Sequence, residues 1–313
     1  MFSFIKKPYF IAFIILYVGS VFILYRSGFP SNQVLVALFS FALILPLIAY
    51  FVSIKTRKAV SSKPFFDHEW LVLSGLIVYI VIYISWGDRF VTRHVLTGIT
   101  VNPVTLFVLG AAKDVVFYFL IPFLVYRSVF GFTLREAGLR ISLRDIFSIP
   151  NIITFFSLSA VLILFQYLFN TDLELLWEGE YESGVLLKAI PVLFFLLLFK
   201  AGLALGFFFH SLLQSRLSIG LNSKFGGMII SVLIFGFAHL PLVIEEGIPA
   251  HHKFAQDHSL LMVLAYCIAI LSISHLFIAI IWRRSKNLWL VMGLYAAMEV
   301  MPDLIHFLEL WKR

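Results

Sequence analysis

What most constrains this chain is a recurring pattern: continuous apolar stretches close to 20 residues long, separated by short polar turns. An α-helix rises 1.5 Å per residue, so about 20 residues match the roughly 30 Å hydrocarbon core of a bilayer. In lipid every backbone N–H and C=O needs an internal partner, which leaves helices and closed barrels as the spanning structures. Barrel strands alternate apolar and polar residues over about 10 positions, and these stretches do not alternate. The sequence therefore predicts an all-α, polytopic transmembrane helix bundle. Nine spans can be read, at roughly 9–25, 34–54, 70–86, 104–126, 151–169, 187–212, 226–244, 260–282 and 288–309. Composition agrees, with 61% hydrophobic residues and 13% charged, against about 25% charged in a soluble domain.

Lys6 and Lys7 precede the first apolar run, which resembles a signal peptide. The run ends in Tyr25-Arg26 without a small-x-small cleavage pattern, so it is expected to be a retained span. With the N-terminus in the cytoplasm, the inside segments hold 15 of the 24 Lys and Arg residues and the outside segments seven. This is the positive-inside bias, and it puts the acidic loop 170–186 and the C-terminus outside. The expected location is a bacterial cytoplasmic membrane. The net charge of +7 is accounted for by these basic loops, so no nucleic-acid partner is expected; the lipid bilayer is the first partner. The lone Cys267 excludes an intrachain disulfide or a Cys-based metal site.

Ionisable groups inside spans cost about 2.5–3.5 kcal/mol each at the helix centre, so they face the bundle interior and find partners. Lys113 and Asp114 fall in span 4, Lys200 and His210 in span 6, His239 in span 7, His275 in span 8 and Glu299 in span 9; Asp303 and His306 lie nearer its end. Lys113 and Asp114 are adjacent and point about 100° apart. Asp114 is therefore a candidate partner for Lys200. His275 is expected to be a hydrogen-bonded interhelical residue, and His306, His251, His252 and His258 to be solvated. His239 stands in Phe235-Gly236-Phe237-Ala238-His239-Leu240-Pro241. Small neighbours permit close helix approach, and Pro241 interrupts the backbone ladder.

Phe235-x-x-x-His239 resembles the second motif of the CPBP family, the CAAX proteases and bacteriocin-processing enzymes, which are multi-span intramembrane endopeptidases. Leu134-Arg135-Glu136-Ala137-Gly138-Leu139-Arg140 is similar to the "LRELGLR" stretch that precedes the family's core. Phe207-Phe208-Phe209-His210-Ser211-Leu212-Leu213-Gln214-Ser215-Arg216 is similar to its "EE-x-x-x-R-G-x-L-Q" segment. Asn287-Leu288-Trp289 is similar to the "SLW" before the last motif. Order and spacing agree over about residues 130–305. The resemblance implies two parts, four N-terminal spans over 1–126 and a CPBP-like core of five spans over 127–313.

It also implies a chemistry. A glutamate of the first motif activates water and a histidine of the second assists; polar residues of the last motif stabilise the oxyanion. Whether a metal or other cofactor takes part stays open. With His210 in the arginine position, the two glutamate positions hold Leu205 and Gly206. The last motif's histidine position holds Tyr295, and its Asn or Asp position holds Glu299. The candidate site residues are thus His239, Glu299, His210 and Tyr295. Three functions compete: a homologue without the standard glutamate-dependent site that binds a membrane-embedded peptide or protein, an active peptidase with a rebuilt His/Glu site, and a transporter or channel lined by Lys113, Asp114, Lys200 and Glu299. His239 and Glu299 are expected to share one polar cavity.

Overall fold

A computed structural model describes residues 8–56, 63–96, 102–139, 142–169, 181–247 and 259–312. These residues form helices, and no strand occurs among them. Eight helices are long and apolar enough to cross a membrane: α1 (Pro8–Arg26), α2 (Gln33–Thr56), α3 (Glu69–Leu96), α4 (Val104–Phe130), α5 (Ile149–Leu168), α6 (Ser183–Gly220), α7 (Lys224–Glu245) and α10 (Leu288–Leu310). A ninth span is a bent pair, α8 (Leu260–Ser272) and α9 (Leu276–Ser285), with 41° between the halves. Eight spans, or nine with the bent pair counted as one, match the expected bundle of about nine. The acidic residues Asp172, Glu174, Glu178 and Glu180 and the loop histidines His251, His252 and His258 lie outside the described residues.

Two helices outrun the expected spans. α3 continues to Leu96 and α6 to Gly220, so Arg89, Arg93 and Arg216 stand on helices rather than in loops. Apolar run length reports only the lipid-immersed part of a helix; the backbone ladder continues wherever side chains find partners. π-helical turns recur, at Gly206–Gln214 in α6 and at Cys267–Ser272 in α8. Such turns are frequent at functional positions.

The described residues fall into two compact units. The first draws on 1–50, 62–89 and 212–283, the second on 51–61, 90–211 and 284–313. α3 passes from one to the other at Arg89–Phe90 and α6 at Ser211–Leu212.

In the first unit α1 packs on α7 and α8, with Phe10 edge-on to Phe225 at 5.6 Å. A buried ion pair holds the end of α6 to the start of α3. Arg216 bonds the Glu69 carboxylate through Nε and Nη2, and Nη1 and Nη2 also donate to the Lys63 and Pro64 carbonyls at 3.1 and 2.9 Å. Burial of both charges is tolerable because each has several hydrogen bonds.

In the second unit α6 and α10 run antiparallel. Ala189, Leu193 and Leu197 meet Ala296, Val300, Leu304 and Leu308 in one buried cluster. The spacing of four residues on both helices is the ridge pattern of helix packing. At Gly202 the helices touch most closely: a Cβ there would lie 2.6 Å from the Met292 carbonyl oxygen and 2.8 Å from its Cα.

Candidate functional site

Three of the four segments that carry the sequence resemblance are tied together by hydrogen bonds within the second unit. Thr133 and Glu136 cap each other, with the Glu136 carboxylate accepting from the Thr133 N–H and hydroxyl at 2.8 Å. This reciprocal cap fixes the turn ahead of Ala137 and Gly138. The Ala137 carbonyl then accepts from the Ser211 hydroxyl at 2.7 Å, and the Gly138 carbonyl from the Leu288 N–H at 3.2 Å. Gly138 has φ +79°, a left-handed conformation that glycine adopts without strain. Asn287 caps α10, its Oδ1 accepting from the Trp289 N–H at 3.1 Å. The loop at 133–139 therefore positions one motif helix at Ser211 and the other at its first turn.

Two candidate residues meet in this unit. His210 Nε2 lies 2.8 Å from the Tyr295 hydroxyl, and both side chains are buried. One turn further along α10 stands half-buried Glu299, at i+4 from Tyr295 and i−4 from Asp303. It is within electrostatic reach of Tyr295, Asp303 and Lys200. Lys200 Nζ bonds Asp303 Oδ2 at 2.9 Å and sits 4.6 Å over the Phe107 ring. The result is a polar seam along the α6–α10 interface. Tyr295, Glu299 and Asp303 share one face of α10, and His210 and Lys200 approach from α6.

This seam corrects one expectation. Lys200 pairs with Asp303, not with Asp114. Antiparallel packing of α6 on α10 puts residue 200 level with residue 303, which no spacing within one helix could report. Lys113 reaches back to its neighbour Asp114 at 3.7 Å and donates to Thr92 Oγ1 at 3.2 Å. A long flexible stem bridges the angle between adjacent residues that keeps their Cβ atoms apart.

Gly206 occupies a closed space, and Leu205 beside it is half-buried. An added Cβ at Gly206 would lie 3.0 Å from Val291 Cγ1, 3.3 Å from Leu288 Cδ1 and 3.7 Å from Tyr295 Cδ2. The next three residues, Phe207, Phe208 and Phe209, are fully buried. Phe207 meets Phe119 edge-on at 4.8 Å, and Phe208 meets Tyr118 at 6.4 Å. At Gly206, one of the two positions where the resemblance would put a carboxylate, this unit is packed with hydrocarbon.

His239 belongs to the first unit and has surroundings of its own. It sits in the turn of α7 with φ −88° and ψ −4°, a sparsely populated backbone region in which active-site residues are often found. Its Nδ1 lies 2.8 Å from the Phe235 carbonyl. A carbonyl only accepts, so Nδ1 carries the proton and Nε2 keeps its lone pair. Among the described residues Nε2 makes no hydrogen bond. Close approach at Gly236 is as expected: a Cβ there would fall 2.1 Å from Ser272 Oγ and 2.3 Å from the Cys267 carbonyl. His275 differs from expectation. Its Nδ1 contacts are to its own helix, Ser274 Oγ at 3.0 Å and the Leu271 carbonyl at 3.3 Å. Its ring also packs on Phe235, tilted by 33°. His306 is exposed, as expected.

Three features were not legible beforehand: the Arg216–Glu69 pair, the Asp303 partner of Lys200, and the Cys267–Ser272 π turn seated on Gly236. Only Asp303 left a signal, its i+4 spacing from Glu299. No group of three or more His, Cys, Asp or Glu side chains arranged to hold a metal occurs among the described residues.

No curated protein and no solved structure matches the chain. A family model does: residues 187–301 match the type II CAAX prenyl endopeptidase Rce1-like family. The matched segment contains Leu205, Gly206, His210, His239, Tyr295 and Glu299. By this match, and by the order of its motif segments, the chain is similar over residues 187–301 to the CPBP, or CAAX protease, family of multi-span membrane proteins.

Proposed function

We propose that this membrane protein is a CAAX-endopeptidase relative without the glutamate-dependent peptidase step, and that it binds a membrane-embedded peptide or protein through the matched helices. The closed apolar packing around Gly206 carries this reading. A glutamate at 205 or 206 would activate water. Leucine and glycine cannot, and the Val291 and Leu288 side chains crowd Gly206, at 3.0 and 3.3 Å from an added Cβ. His210 and Tyr295 satisfy each other instead of flanking a reacting carbonyl. Loss of a general base typically costs about 100- to 10,000-fold in rate.

The test is incubation of purified protein in nanodiscs with a prenylated or membrane-spanning peptide. Binding without cleavage is expected, with affinity lowered by His239→Ala. Robust proteolysis that His239→Ala abolishes would overturn the proposal. It would favour the second reading, a rebuilt His/Glu hydrolase, for which the lone pair on His239 Nε2 is the supporting observation. The same reading places the N-terminus in the cytoplasm. Single cysteines at Glu136 and Glu245 should then label from opposite faces, against a background of buried Cys267. Labelling from one face would remove the nine-span orientation.

A further inference from the structure

In the first unit the Phe235 ring touches two histidine rings. His275 packs on it with ring centroids 3.5 Å apart and the planes tilted by 33°. On its other neighbour, Phe235 is 4.6 Å from the His239 ring, and its carbonyl accepts the His239 Nδ1 proton. His275 is buried and lies in the 41° break between α8 and α9. Just before it, the π turn Cys267–Ser272 presses on Gly236, the residue that follows Phe235. The break in the eighth span and the turn at His239 are therefore packed as one assembly.

We infer that His275 is a positioning residue for His239: packed on Phe235, it holds that ring against the His239 imidazole and keeps Nδ1 on the Phe235 carbonyl, with the lone pair on Nε2. The Nδ1 of His239 is taken by the Phe235 carbonyl, so what His275 adds to its orientation passes through the Phe235 ring. It comes from excluded volume and aromatic contact. His239 has one polar tether, the Phe235 carbonyl, and one face packed against the Phe235 ring. Removing the backing of that ring frees the imidazole to leave the tether. A ring without nitrogens in place of His275 preserves the backing; a methyl group does not. This rests on taking His239 as the functional imidazole of the matched segment, but it concerns the chemistry of that side chain and not any activity.

The experiment measures carbethoxylation of His239 by diethyl pyrocarbonate, which reacts at an unprotonated imidazole nitrogen. The full chain in nanodiscs is sampled over time and each histidine is read separately by peptide mass spectrometry. An aromatic contact of this kind corresponds to a population change of roughly three- to tenfold. The His239 rate should change by that factor in His275→Ala and in Phe235→Leu. In His275→Phe it should remain at the wild-type rate. His210, in the other unit, should keep its rate throughout. An unchanged His239 rate in His275→Ala overturns the inference. So does His275→Phe behaving like His275→Ala, or an equal change at His210, which would mean general loosening. If His275→Ala does not fold, Phe235→Leu decides by the same criteria. Peptide binding that survives His239→Ala would remove the functional reading while leaving the modification result intact.

Discussion

α4 and α10 belong to the same unit and are close in length, yet 11% of the apolar window of α4 is buried against 67% of that of α10. α10 is also the less apolar of the two. In water the more apolar helix would be the buried one. In a bilayer the solvent is itself hydrocarbon, so apolar side chains gain nothing by turning inward. Polar ones do, since lipid offers them no partner. Tyr295, Glu299 and Asp303 keep α10 inside, whereas the lipid-facing Val108, Val116, Leu120 and Leu124 of α4 are already in a matching solvent. The difference teaches that burial in this fold follows polar chemistry and close packing, not apolarity.

The largest test of that contrast compares charges. Arg216→Met strands the Glu69 carboxylate, which has no exposed surface; breaking a buried pair by removing one partner costs about 3–5 kcal/mol. Glu245→Gln breaks the pair with Arg89, in which the Glu245 side chain is 62% exposed, and should cost at most about 1 kcal/mol. Thermal unfolding in detergent checks both. Equal shifts would show that burial does not set the worth of a charge in this protein.

Next come the glycines. Gly202→Ala drives a methyl group into the Met292 backbone, which cannot swing aside as a side chain can. A destabilisation of about 1–3 kcal/mol is expected. Gly110→Ala on α4 meets nothing within 4 Å and should stabilise by about 0.5–1 kcal/mol, through helix propensity alone. Opposite signs in the same melting assay sharpen the comparison; a common sign breaks it.

Leucines give a smaller contrast. Leu304→Ala opens a cavity in the α6–α10 core. Lipid is as apolar as the core, so only the cavity share of the usual large-to-small cost applies, about 1–3 kcal/mol. Leu124→Ala, half exposed on α4, should stay within about 0.5 kcal/mol. A cost for Leu124 equal to that for Leu304 would mean that α4 has a protein partner where lipid is expected.

The smallest effect is at the partly exposed end of the polar seam. Asp303→Asn removes the carboxylate bonded to Lys200, but Glu299 remains within electrostatic reach. Both side chains of the pair are about a third exposed, so the loss should be about 1 kcal/mol or less. Asp303→Asn combined with Glu299→Gln should exceed the sum of the single changes, because Lys200 then keeps no carboxylate. Strict additivity in a double-mutant cycle would show that Glu299 does not serve the same lysine.

Where the spans lie was readable from residue order, because span length is set by bilayer thickness and each run could be counted alone. Helix ends beyond the hydrocarbon were not. Arg216 looked like a basic loop residue, and it became the buried end of α6 because Glu69, Lys63 and Pro64 supply its hydrogen bonds. In the site, the apolar identity of Leu205 and Gly206 was legible, since identity at a position is a one-dimensional fact. That His210 would bond Tyr295, or that His275 would pack on Phe235, was not, since each joins residues on different helices.

By itself, then, the sequence determined the all-helical spanning architecture, the resemblance over about residues 130–305 and the apolar identity of Leu205 and Gly206. Each follows from composition, run length or identity along the chain, quantities that need no neighbours. Only the tertiary structure decided which polar groups meet: Lys200 with Asp303, Arg216 with Glu69, His210 with Tyr295, and His275 and His239 on the Phe235 ring. Those choices depend on helix direction, rotation and register. Close contacts such as Gly202 on Met292 and Gly236 on the Cys267–Ser272 turn select these because a single Cβ would forbid them.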